Sequence, residues 1–169
     1  MVNKIKETMY NRHTMINSPI ESRNTGKGKP SAITHIGISL NKRQQKLLDN
    51  LKGFDDVYIT KKHDVSMKDL SALTAKEGVE FALFTKGGER MVVRGGTDIN
   101  GKSIVNIDIN KAKQLNADGW RWSGHTHPGV GTNVKIESIQ DIKILKEFTK
   151  QIESVIYDIF GNYRRFDKV

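Results

Sequence analysis

Two runs of side chains, Val79-Glu80-Phe81-Ala82-Leu83-Phe84 and Arg90-Met91-Val92-Val93-Arg94, flank Lys86-Gly87-Gly88 and predict a β-hairpin closed by a tight reversal. Strand side chains alternate between faces, so Glu80 shares one face with Ala82 and Phe84 while Val79, Phe81 and Leu83 share the other. Before this hairpin the apolar spacing lengthens. Gln44, Leu47, Leu48 and Leu51 predict a helix over Lys42 to Lys52, capped by Asn41 and ended by Gly53. Leu70, Leu73 and Thr74 predict a second, capped by Ser66 and running to Glu77-Gly78. Val57-Tyr58-Ile59 is a short strand between them.

After the hairpin, Ile104, Val105, Ile107 and Ile109 predict a strand from Ser103 to Ile109, and Lys111 to Asp118 a short helix ended by Gly119. A strand then begins at Trp120-Arg121-Trp122 and ends at Pro128, which cannot continue a ladder. Ile139, Ile142, Leu145 and Phe148 give the apolar side of a helix headed by Ser138 and finished by Lys146 to Gln151. Ser154 to Asp158 and Tyr163 to Phe166, around Gly161-Asn162, predict a closing hairpin. The mixture of strands and helices is that of an α/β or α+β domain. Residues 1–31 show no sustained period. They carry Lys4, Lys6, Arg12, Arg23, Lys27 and Lys29 and close with Gly26-Lys27-Gly28-Lys29-Pro30, a basic flexible arm before a domain over 32–169.

Composition narrows the classes. Of 169 residues 36% are hydrophobic, low enough to agree with an unpacked arm. There is no cysteine, which excludes disulfides and thiolate metal sites, so a zinc ion would have to be held by imidazole and carboxylate. No apolar run approaches a membrane span and the N-terminus has no apolar core of a signal peptide, which predicts a cytoplasmic protein. The net charge of +9 is spread along the chain without interleaved aromatics or zinc-finger spacing, which argues against nucleic acid as the functional partner. Trp120 and Trp122 read as core, and Arg164 and Arg165 as solvated edge charges.

Chemistry concentrates between Gly119 and Asp141. His125 and His127 lie two apart, so on a strand both imidazoles project from one face, close enough to share a metal. Ser138 and Asp141 are side by side at the head of a helix, where free backbone N–H groups are also available to an oxyanion. Two imidazoles and a carboxylate leave one tetrahedral position for water, the layout of a catalytic zinc. His13, His35 and His63 each stand alone and read as ordinary histidines. The zinc-protease helix His-Glu-x-x-His is missing, as is the Pro-Cys-x-x-Cys half of a nucleobase deaminase site. Glu80 is a carboxylate among apolar neighbours; its burial without a partner costs several kcal/mol, so it faces a polar site or solvent.

A glutamate on an early strand, then His-Thr-His-Pro, then Ser-x-x-Asp opening a helix, resembles the JAB1/MPN/Mov34 (JAMM) metalloprotease family over roughly Ala75 to the C-terminus, and most resembles its prokaryotic phage- or toxin-associated members. Ten residues separate His127 from Ser138, where that family usually has seven. The resemblance implies a deaminase-like mixed sheet flanked by helices, Zn2+ held by His125, His127 and Asp141, Glu80 as acid and base, and Ser138 polarising the substrate carbonyl or stabilising its oxyanion. It also implies a protein or peptide substrate and a phage- or toxin-associated partner. Two other readings stand beside it: a catalytically silent binding or scaffolding module of the same fold, and a basic hydrolase acting on nucleic acid through a His-rich metal site.

Overall fold

The hairpin expected from Lys86-Gly87-Gly88 organises the sheet. In the computed structural model, which describes residues 38–169, β2 (Phe81–Lys86) and β3 (Glu89–Arg94) pair antiparallel from Phe81↔Arg94 to Lys86↔Glu89, turning on Gly87-Gly88. On one side β3 pairs with β1 (Val57–Lys61); on the other β2 pairs with β6 (Arg121–Thr126), which is followed by β7 (Glu153–Tyr157) and β8 (Tyr163–Asp167). The six strands run in the order β1-β3-β2-β6-β7-β8, all antiparallel except the parallel neighbours β6 and β7. A separate two-stranded ribbon joins β4 (Gly96–Thr97) to β5 (Ser103–Ile104).

Helices cover both faces. Phe81, Leu83 and Val92 pack with Leu47 and Leu51 from the first helical region and with Leu70 and Leu73 of α2 (Met67–Glu77). Ala82, Phe84, Val93, Trp122 and Ile156 face Ala112 and Leu115 of α3 (Ile109–Ala117) and Ile144, Leu145 and Phe148 in and after α4 (Ile139–Glu147). The alternation read in β2 is therefore realised: odd positions meet α2, even positions meet α3 and α4. The result is an α+β fold with a mostly antiparallel sheet between helices.

Several boundaries differ from those expected, for local reasons. The first helix, α1 (Lys42–Asp49), stops before Lys52 because Asn50 turns its N–H back onto the Leu47 and Leu48 carbonyls. The strand expected over Ser103 to Ile109 keeps only its first two residues; Asp108 caps α3, and Ile109 belongs to that helix. Val105, Ile107 and Ile109 alternate because the segment leading into α3 lies along the apolar core, not because they form a ladder. The helix after Ser138 ends at Glu147, and Gln151 leaves it to bond the backbone N–H of Trp122. Ile139, expected on the buried side of that helix, is 76% exposed. The basic arm, His13 and His35 lie outside the described residues. Trp120 and Trp122 are buried, as expected, and His63 is an exposed histidine. Among the described residues no helix is long and apolar enough to cross a membrane.

Gly124 marks the point where β6 is most tightly confined. A Cβ there would lie 2.6 Å from Val155 Cγ2 and 2.8 Å from the Val155 carbonyl oxygen of β7. Gly124→Ala is expected to destabilise the fold by about 1–3 kcal/mol, the usual cost of overpacking, measured as a lower denaturant midpoint. An unchanged midpoint would show that β6 and β7 separate without penalty.

Candidate metal centre

The strand that carries the histidines is irregular in a way that aims them. Its register with β2 passes from Leu83↔Gly124 to Phe84↔Trp122, leaving Ser123 as the extra residue of a bulge. The bulge puts Trp122 and His125 on one face although they are three apart, and their rings stack with centroids 5.1 Å apart. Phe166 of β8 approaches the same imidazole edge-on at 6.1 Å. His125 lies between Ala82 of β2 and Ile156 of β7 and is 3% exposed. His127 is one residue past the strand, but its N–H still bonds the Tyr157 carbonyl, so it keeps the extended direction and shares the face of His125.

Three side chains converge there. His125 Nε2 lies 3.0 Å from His127 Nε2 and 3.5 Å from Asp141 Oδ1. One donor atom from each of His125, His127 and Asp141 lies within 4.8 Å of the others, a grouping able to hold a metal ion. Bonds of ~2.0–2.1 Å in a tetrahedron separate the donors by about 3.3 Å, close to the two distances found. Two nitrogen lone pairs facing each other at 3.0 Å repel unless a proton or a cation lies between them. The donor set, two imidazoles and one carboxylate without thiolate, suits zinc.

The surrounding groups orient these donors. His127 Nδ1 contacts the Val134 carbonyl, which can only accept; Nδ1 therefore carries the proton, and in the neutral ring Nε2 presents its lone pair toward His125. Val134 belongs to a 3-10 turn, Asn133–Lys135, inside the ten residues between His127 and Ser138. The lengthened loop thus supplies the group that sets the His127 tautomer. Lys135 holds the loop down through buried Asp158 at 3.4 Å and the Gly131 carbonyl at 3.3 Å. His125 Nδ1 is buried with no hydrogen-bond partner.

Asp141 is fixed by its helix. Ser138 caps α4: its backbone N–H and its hydroxyl donate to Asp141 Oδ2 at 2.7 and 2.8 Å, and its oxygen accepts from the Asp141 N–H at 3.1 Å. Oδ1 is left to face His125. Ser66 and Asp69 build the same capping box at the head of α2, where Asp69 bonds Arg43 and Gln44. Ser-x-x-Asp is therefore a helix start in both places, and only the second faces histidines. Ser138 lines the cavity beside the site, with its hydroxyl proton directed to Asp141.

Glu80 precedes the first residue of β2. Its backbone N–H donates to Ser103 Oγ at 2.9 Å, its carbonyl accepts from Gly95, and its carboxylate lies 3.7 Å from His127 Nε2. It is outside the three-donor group. Glu77, three residues earlier, is turned away and bonds Arg94 at 2.9 Å. Between these side chains and the β4–β5 ribbon lies a cavity of about 290 Å³, lined by Glu80, His127, Ser138 and Asp141 and walled by Ile104, Val105 and Ile136.

Burial governs the protonation of the group. It pushes His125 down to about 4, with Asp141 opposing and His127 assisting. It also pulls His127 below its ordinary value, against the Val134 carbonyl and Asp141. Burial acts to raise Asp141, but His125 and the Ser138 donors outweigh it, and this carboxylate is held below its ordinary range. Glu80 is raised well above 4.5 by burial and then by the Asp141 charge. The signs give a test on metal-free protein. Between about pH 4 and 6.5 unfolded His125 binds a proton that the folded ring refuses, so stability rises with pH. Glu80 works oppositely, because above 4.5 the folded carboxyl keeps a proton that the unfolded one releases. Glu80→Gln is expected to steepen the rise in Tm between pH 4.5 and 6.5; a slope equal to the parent's would contradict a proton held on Glu80.

The structure brings together all five residues singled out in the sequence: Glu80, His125, His127, Ser138 and Asp141. Three further groups had no sequence signal. Val134 acts through its backbone, Ser103 holds the Glu80 N–H, and Lys102, which also lines the cavity, is one lysine in a Gly-rich turn. Comparisons of this chain with protein-family models, with curated proteins and with solved structures give no match.

Proposed function

We propose that this chain is a zinc-dependent peptidase or isopeptidase of JAB1/MPN/Mov34 architecture. The observation that carries the reading is the convergence of His125, His127 and Asp141 at a cavity, with the Glu80 carboxyl 3.7 Å from His127 but outside the donor group. The order of these residues along the chain, the feature on which the resemblance rests, supports the same reading.

His125 and His127, through Nε2, and Asp141, through a carboxylate oxygen, would hold the metal. Bound zinc supplies Lewis acidity and lowers the pKa of water toward about 7. The chain does the rest. Glu80 takes a proton from the attacking water on its carboxylate and passes it to the leaving amine. Its raised proton affinity brings it toward the working pH, where such a shuttle is most efficient. Ser138 and the Val134 carbonyl keep Asp141 and His127 in their donor orientations, a supporting role that typically changes metal affinity 10–100-fold. An oxyanion role for Ser138 requires its hydroxyl to turn from Asp141 to the substrate carbonyl.

That last requirement favours one rival, a silent binding or scaffolding module of the same fold, because the Ser138 proton is committed to Asp141. A substrate or partner in a phage- or toxin-associated assembly rests on the resemblance alone. The deciding experiment is digestion of a proteome-derived peptide library and of isopeptide-linked conjugates by zinc-loaded full-length protein, read by mass spectrometry. New termini that vanish with chelator support the peptidase; zinc binding without any cleavage supports the module.

A further inference from the structure

The cavity lining holds two carboxyl groups and a single basic side chain. Glu80 and Asp141 contribute its two carboxyl groups beside Glu80's neighbour His127, Ile104, Val105 and Ile136 contribute apolar lining, and Lys102 is the one lysine or arginine among the lining residues. The position of Lys102 is built by its own turn. Asp98 Oδ1 accepts from the backbone N–H groups of Asn100 and Lys102, at 2.8 and 2.9 Å, and the Asp98 N–H donates to the Lys102 carbonyl. The turn is carried by the β4–β5 ribbon, and the Ser103 hydroxyl next to Lys102 accepts from the Glu80 backbone N–H, which ties the segment bearing the cation to the one bearing the Glu80 carboxyl. The side chain is exposed and makes no hydrogen bond or ion pair among the described residues. Its charge nevertheless reaches both Glu80 and His127.

We propose that Lys102 makes this cavity a site for peptides carrying a carboxylate beside the segment bound at the histidines. The proposal rests on the metallopeptidase reading for the identity of the ligand as a peptide. An ammonium that makes no ion pair or hydrogen bond among the described residues and lines an apolar-walled cavity attracts an anion more strongly than one in open water. The cavity admits a short stretch of extended chain, being near the ~300 Å³ lower bound of small-ligand sites. The apolar wall then takes one side chain, and the ammonium takes the carboxylate. An acidic side chain and a free C-terminus offer the same chemistry, and they are separated in the test.

The test reads binding, so that it does not depend on turnover. Full-length zinc-loaded Glu80→Gln protein is immobilised and offered peptide libraries of random sequence, one with free and one with amidated C-termini, and retained peptides are sequenced. Peptides with Asp or Glu, or with a free C-terminus, are expected to be retained about tenfold better than neutral ones, the size of one charge-assisted hydrogen bond. Adding Lys102→Arg should keep the preference, Lys102→Ala should remove it, and Lys102→Glu should transfer it to basic peptides. Enrichment in the amidated library identifies a side-chain carboxylate; enrichment that needs the free library identifies the C-terminus. No acidic preference, or one that survives Lys102→Glu, overturns the proposal. Cleavage by the parent protein is scored separately: carboxylate selection without cleavage sinks the peptidase reading alone, and cleavage without carboxylate selection sinks this inference alone.

Discussion

His125→Ala protein is expected to bind zinc at least about a hundredfold more weakly than the parent, since losing one of three ligands exceeds the 10–100-fold cost of losing an outer-shell partner. The His125 Nε2 is the donor shared between His127 at 3.0 Å and Asp141 at 3.5 Å, and the ring is buried against Trp122. Competition with a chromogenic chelator measures the affinity, and circular dichroism on the same samples separates lost metal from lost fold. His63→Ala, at an exposed position remote in sequence from the group, is the matched control. A parent protein that takes up no zinc at micromolar metal, or a folded His125→Ala protein that binds as tightly as the parent, would remove the metal centre and with it the proposed activity.

The second large effect is expected on rate with the metal retained. Glu80→Gln should bind zinc within a few-fold of the parent and cleave about 10²–10⁴ times more slowly, the range attributable to a positioned acid or base. Glutamine is nearly isosteric and keeps the backbone links to Ser103 and Gly95, so the change removes proton transfer and little else. The measurement is kcat on any substrate found in the library digest, beside a zinc titration of the same preparation. Loss of zinc in Glu80→Gln would make this residue a ligand. Full activity would move the proton shuttle to another group.

Much of this arrangement was legible in the sequence because it depends on short-range periods. Alternation placed Glu80 with Ala82 and Phe84, and the i, i+2 spacing placed His125 with His127; both survive because extended backbone continues just past the formal strand ends. Ser138 and Asp141 were legible as a helix start, but the same pattern at Ser66 and Asp69 shows that spacing alone does not distinguish a cap from a cap that also faces a site. What stayed hidden was non-local or carried by backbone. Strict alternation separates Trp122 from His125, and only the bulge at Ser123 returns them to one face. The Val134 carbonyl leaves no mark in side-chain chemistry, so the long loop read as an irregularity when it in fact sets a tautomer. The failed strand at 105–109 has the same origin as the success in β2: apolar positions report a buried surface, and a ladder is only one way to cover it.

The placement of the histidines on β6 also bears on how the molecule is made. The Thr126 hydroxyl, between them, accepts from the Phe81 backbone N–H across 45 positions, and β6 meets β7 in a parallel pairing that needs α4 as its crossover. Such contacts form slowly, since the chain must close long loops before they repay the entropy. The β2–β6–β7 framework that orients His125 and His127 is therefore assembled late, although the three candidate donors themselves lie within the short stretch from His125 to Asp141.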